Sequence, residues 1–69
     1  MRYHMVSRQV WSKEENTIDV SVTRYESGTE TWFFSIGEKE YFYQKPSYAR
    51  ARLEKLGYKY IDTVYSKII

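Results

Sequence analysis

From Thr17 to Tyr25 the chain alternates, with Ile18, Val20 and Val22 set between Asp19, Ser21 and Thr23. A period of two with one apolar and one polar side predicts a strand that lies on a core by one face. Thr29 to Ile36 repeats the pattern, with Trp32, Phe34 and Ile36 against Thr31, Phe33 and Ser35. The connection Glu26-Ser27-Gly28 decides how the two strands pair. A two-residue Ser27-Gly28 turn would set Val22 opposite Phe33 and Val20 opposite Ser35, which sends the apolar sets to opposite faces. A three-residue loop, with Gly28 left-handed in a bulge, sets Arg24 against Glu30, Val22 against Trp32, Val20 against Phe34 and Ile18 against Ile36. Each of those pairs is apolar with apolar or cation with anion, so this register is predicted.

The flanking segments are less regular. Arg2 to Trp11 lacks Gly and Pro, carries strand-favouring residues and predicts a strand, with Lys13-Glu14-Glu15-Asn16 as the loop after it. Gly37-Glu38-Lys39 reads as a turn and Glu40 to Gln44 as a further short strand, aromatic on both faces, so that its register stays open. Pro46 then suits the first position of a helix. Ser47 to Leu56 continues that helix, and Gly57 stands where a left-handed cap belongs. Ala49, Leu53 and Leu56 recur at helical spacing and form its core face. Tyr58 to Tyr65 is β-rich and predicts a last strand, with Ile68 and Ile69 docking or fraying beyond it. The reading is one α+β domain over residues 1–69. It has an antiparallel sheet of four to five strands in the order β-β-β-β-α-β, with one short helix packed on the face of Ile18, Val20, Val22, Trp32, Phe34 and Ile36. The other face, with Asp19, Ser21, Thr23, Tyr25, Thr31, Phe33 and Ser35, is left to solvent or a partner.

Size sharpens this picture. A domain of 69 residues buries only about 60% of the surface its unfolded chain exposes. With no Cys and a single His, a disulfide or a structural zinc is not available to reinforce it. Eight Tyr, two Trp and three Phe supply the burial instead, each removing roughly 150–250 Å² from water when buried. Met1 to Met5 carries no apolar run of the kind a signal peptide needs, and no stretch approaches the length of a membrane span. A cytoplasmic protein is the expectation.

The net charge of +2 is small, but it is unevenly spread. Gln44 to Ile69 holds six cations against two carboxylates, a net of +4, whereas Ser12 to Tyr43 holds three cations against seven carboxylates, a net of −4. An acidic middle followed by a basic end is a statement about partners and solubility, not about fold.

Candidate chemistry is thin. His4 is the only imidazole, and no Gly-x-Ser-x-Gly elbow accompanies it. Glu14 with Glu15 and Glu38 with Glu40 are paired carboxylates at loops, where solvated charge is the ordinary outcome. No metal-ligand spacing and no phosphate-cradling glycine loop is present. The expectation is a non-enzymatic module with no catalytic residue, no metal and no cofactor.

Two features point to binding. The first is the aromatic excess. Tyr25 and Phe33 are expected on the open face, joined either by Tyr41 with Tyr43 or by Phe42. Tyr25, Phe33, Tyr41 and Tyr43 are the candidate protein-binding set, since exposed aromatics anchor protein interfaces. The second is the basic segment Lys45, Arg50, Arg52, Lys55 and Lys59, a candidate phosphate-contacting set. Its plain counterpart is a solvated helix face with Arg50 and Glu54 paired at i, i+4. Sheet followed by basic helix, over Thr17 to Gly57, resembles in element order alone the three-stranded DNA readers of the integrase type, and the resemblance implies nucleic-acid binding. Those readers present Arg and Lys on the sheet face, where this chain has Asp19, Ser21 and Thr23. The favoured expectation is therefore a small regulator or inhibitor that docks on a larger protein, of the kind common among phage and mobile-element proteins. Nucleic-acid binding is the alternative, and homodimerisation through an open face or edge strand is a further outcome.

Overall fold

A computed structural model describes residues 3–68 of the chain, and the side chains of residues 5–64. Arg2 and Ile69 lie outside the described residues, and the side chain of His4 outside the described side chains. The elements are β1 (Tyr3–Lys13), β2 (Asn16–Tyr25), β3 (Glu30–Ile36), β4 (Lys39–Tyr43), α1 (Pro46–Lys55) and β5 (Lys59–Ile68). The strands form one antiparallel sheet in the order β4-β3-β2-β1-β5, an α+β fold with one short helix. The first four strands follow one another through hairpins. The helix then carries the chain from the β4 edge to the opposite edge, where β5 pairs with β1.

The β2–β3 register is the predicted one. Arg24 pairs with Glu30 and Val22 with Trp32. Gly28 has φ +90° and donates its N–H to the Tyr25 carbonyl at 2.9 Å, while the Tyr25 N–H reaches the Thr29 carbonyl at 2.9 Å. The left-handed residue is what lets three loop residues join two right-twisted strands, and only Gly takes that conformation at no steric cost.

The other two hairpins are tighter than the sequence suggests. Lys39 pairs with Ile36 as the first residue of β4, so the turn is Gly37-Glu38 alone, with Gly37 at φ +63°. Gly at the first turn position with positive φ is the requirement of a two-residue type II′ connection. Likewise Lys13 pairs with Asn16, which reduces the loop to Glu14-Glu15 and leaves Glu14 at φ +56°. An L-residue with a Cβ pays for that conformation in steric crowding.

One face of the sheet holds the core: Trp11, Val20, Val22, Trp32 and Phe34, with Ala49 and Leu53 from the helix and Tyr58 after it. Ile18, Ile36, Tyr41, Tyr43 and Leu56 pack around this group. Both buried indoles are satisfied by a residue two places earlier on the same strand face. Trp11 Nε1 donates to Gln9 Oε1 at 2.9 Å, and Trp32 Nε1 to Glu30 Oε1 at 3.1 Å. Without those acceptors each burial would cost an unmade hydrogen bond.

The helix starts weakly and ends firmly. Lys45 occupies the N-cap and makes no side-chain cap hydrogen bond. At the other end Gly57, at φ +96°, donates to the Glu54 carbonyl at 3.0 Å, and Tyr58 N–H to the Leu53 carbonyl at 2.9 Å. This pair of bonds is a Schellman motif, in which the residue after the glycine packs back on the last turn. Tyr58 and Leu53 share the core accordingly. A Cβ at Gly57 would also sit 3.1 Å from the Lys13 side chain.

Two outcomes follow for stability. Glu14→Gly should raise the unfolding free energy by about 0.5–1 kcal/mol, because the relief of left-handed crowding exceeds the added entropy of the unfolded chain. A urea melt would show the midpoint moving up with an unchanged slope. Leu53→Ala should remove about 2–5 kcal/mol, a large share of what a domain this small holds. Loss of cooperative thermal unfolding at ambient temperature is the expected readout.

Candidate functional site

The open face is read from register. Phe33 sits opposite Phe42 on one side and Ser21 on the other, Ser21 sits opposite Arg8, and Arg8 opposite Val64. Directly opposed residues share a face, so Phe42, Phe33, Ser21, Arg8 and Val64 form one row across all five strands. Phe33 is 40% and Phe42 59% exposed. Val64 at the far edge is exposed as well. Arg8 and Asp19, in the middle of this face, approach to 3.8 Å with both side chains more than half exposed. That pair contributes little to stability.

The aromatic set proposed from the sequence is divided by the structure. Phe33 is on the open face as expected. Tyr25 shares that side by alternation and is half-buried, but it lies four residues along β2 from Ser21, roughly 13 Å away. Tyr41 and Tyr43 are on the opposite side. Their rings stack on buried Phe34, with centroids at 5.0 and 6.2 Å. As members of an open-face docking set these two are therefore corrected: they serve the core. Phe42 replaces them. The signal that selects it is the two-residue turn, because pairing Ile36 with Lys39 sets Phe33 against Phe42.

The basic set is divided as well. Lys59 belongs to β5, opposite Ser12 of β1. Arg50 lies with its guanidinium 5.5 Å from the centre of the Trp32 ring. No Arg50–Glu54 ion pair forms among the described residues, so the i, i+4 pairing expected for a plain solvated face is absent there. Lys45, Arg52 and Lys55 share the remaining flank. An open groove of about 310 Å³ runs between that flank and β4, lined by Tyr43, Tyr48, Ala51, Arg52 and Lys55. Arg52 Nε donates to the Tyr43 hydroxyl at 3.1 Å, and its guanidinium is 6.0 Å from the Tyr41 ring centre. Lys45 lies 5.3 Å from the Tyr48 ring centre and Lys39 5.5 Å from that of Tyr41. The lining holds cations and no carboxylate, at the lower end of the size range of ligand clefts.

Glu30 accepts from the same indole that Arg50 lies over. Its carboxylate accepts from Arg24 Nε at 2.9 Å, from Arg24 Nη2 and from the Trp32 indole. Burial pushes its pKa up, but the hydrogen bonds from Arg24 and Trp32 and the charges of Arg24 and Arg50 outweigh burial and hold it below the usual carboxylate range. Arg24, Glu30, Trp32 and Arg50 thus form a clamp at one end of the core.

Among the described residues no three His, Cys, Asp or Glu are grouped to hold a metal ion, and no helix is long and apolar enough to cross a membrane.

The clamp has a pH signature. A carboxyl whose folded pKa is depressed contributes stability above its unfolded value and loses it as pH falls through the folded one. Glu30→Gln should therefore be less stable than the parent by about 0.5–1 kcal/mol at neutral pH. The gap should close below roughly pH 4.3, as read from thermal midpoints across a pH series. Comparison of the chain with protein-family models, with curated proteins and with solved structures finds no match.

Proposed function

We propose that this protein is a non-enzymatic binding module that docks on a larger protein through its open sheet face. The reading rests on one observation. Phe33 and Phe42 are register partners, 40% and 59% exposed, on the face opposite the helix. Pairing across the strands stabilises the sheet by roughly 0.2–1 kcal/mol but leaves both rings partly in water, and exposed aromatic pairs of this kind are anchors of protein interfaces. Polar Ser21, Thr31 and Ser35 border the pair, with Glu40 next along β4. An apolar centre with a polar rim is the usual anatomy of a docking surface. The partner surface that fits is an apolar depression with lysine or arginine at its margin facing Glu40. Such a module regulates or inhibits by occupying its partner's surface, with no chemistry of its own.

The experiment compares variants after nuclease treatment. The parent chain should retain a stoichiometric protein, and the double substitution Phe33→Ser with Phe42→Ser should release it with at least about a tenfold loss in affinity. Val64→Ser, at the far end of the same row, should leave binding within about twofold. Equal binding by the phenylalanine variant, with its fold intact by circular dichroism, overturns the reading. So does retention of nucleic acid alone that is lost at moderate salt.

A further inference from the structure

We infer that the free edge of β4 receives an extended peptide segment as a sixth strand, with acidic side chains on its helix-facing side and apolar ones on the side of Phe42. The inference rests on the docking reading for the class of partner, and on separate observations for the place and the chemistry.

The place follows from the backbone. β4 is an edge of the sheet, and its pairing with β3 runs without a bulge from Ile36–Lys39 to Trp32–Tyr43. In a two-residue hairpin the pair that closes the turn exchanges both main-chain hydrogen bonds, and alternate pairs do so thereafter. Lys39, Tyr41 and Tyr43 therefore bond inward to β3, and the N–H and C=O groups of Glu40 and Phe42 point outward from the sheet. The other edge is guarded. β5 shifts register between its pairings with Val10 and Trp11, leaving Ile61 as an extra residue, and such a bulge twists an edge away from further pairing.

The chemistry follows from what flanks that edge. Side chains of an added strand alternate between the two faces. On the helix side they meet the groove of Tyr43, Tyr48, Ala51, Arg52 and Lys55, whose only charges are positive. Lys39 and Lys45 extend this positive margin along Tyr41 and Tyr48. On the other side they meet Phe42, 59% exposed. Acidic residues match the first surface and apolar residues the second. A second copy of this chain does not fit, because its own Arg52 and Lys55 would lie opposite the same cations across the new pairing. Single-stranded nucleic acid fits less well than peptide. The rings of Tyr41 and Tyr43 already stack on Phe34, the Tyr43 hydroxyl is engaged by Arg52, and outward main-chain groups complement a peptide rather than a sugar-phosphate chain.

The test uses the full chain labelled with nitrogen-15 and a blocked peptide of about seven residues alternating Val with Glu. Its controls are the same peptide with Lys for Glu, the same peptide N-methylated at alternate residues, and a short oligothymidylate. The Glu peptide should shift the amide signals of Glu40 and Phe42 and slow their hydrogen exchange, with at least about tenfold preference over the Lys peptide. N-methylation should abolish binding. Arg52→Gln and Lys55→Glu should each weaken it several-fold. The Lys55 side chain makes no hydrogen bond among the described residues, so the second variant reports on charge even if the first alters the fold.

Absence of β4 shifts at about 2 mM peptide overturns the inference. Shifts on β5, equal binding of the Lys peptide, or occupation of the groove by the oligothymidylate but not the peptide do so too. If capture of the larger protein still depends on Phe33 and Phe42 in that event, only the edge-strand inference falls. If the peptide adds to β4 while capture ignores both phenylalanines, the docking reading falls and the edge site stands.

Discussion

Among the described residues, one helix is all the cover this sheet has. Ten residues of α1 make a rod about 15 Å long and 10 Å wide, against five strands that span about 19 Å between their outer axes. Such a rod seals part of one face and none of the other. The packing of Ala49 and Leu53 against Trp32, Phe34, Val20 and Val22 is therefore the contact on which the fold turns, and all six side chains are buried. Its geometry also decides what is left over. The helix engages β3 and β4 rather than β1 and β5, so one of its flanks runs beside the β4 edge and forms the groove there.

The aromatic richness is explained by the same shortage of cover. With no disulfide to draw on, large rings extend the core sideways past the helix. Tyr41 and Tyr43 stack on Phe34, and Trp11 meets Tyr60 edge to face with centroids 5.9 Å apart. Phe33 and Phe42 are different in kind, since they occupy the face where the helix is not. The proposed docking role belongs to that difference between rings that complete the core and rings that do not.

Charge follows a similar division. The acidic hairpin residues Glu14, Glu15 and Glu38 lie at one end of the sheet by strand direction, because the β1–β2 and β3–β4 turns share that end. The cations of the helix separate by its geometry. Arg50 turns toward Trp32 and the Glu30 clamp, while Arg52 and Lys55 turn toward β4. A run of cations that reads as one patch along the chain is thus two surfaces in space, one engaged in holding the core closed and one beside a sheet edge.

Local interactions carry their information in neighbouring residues, and these were legible. The β2–β3 register was legible because the Glu26-Ser27-Gly28 loop sets Val22 against Trp32, which puts Ile18, Val20 and Val22 on the same face as Trp32, Phe34 and Ile36. The helix and its end were legible because Pro46 and Gly57 have conformational preferences independent of what surrounds them. The face of β4 was not legible, since Tyr41, Phe42 and Tyr43 are alike in hydrophobicity; a difference of one residue in the turn before them chose which would face the helix. The destination of β5 was beyond the sequence too, because pairing with β1 depends on where the helix delivers the chain after crossing the sheet. The candidate surfaces, Phe33 with Phe42 and the flank of Arg52 and Lys55, fall on that second side. Which side chains each surface presents depends on strand register or on how the helix is set against β4, and only the tertiary structure sets those.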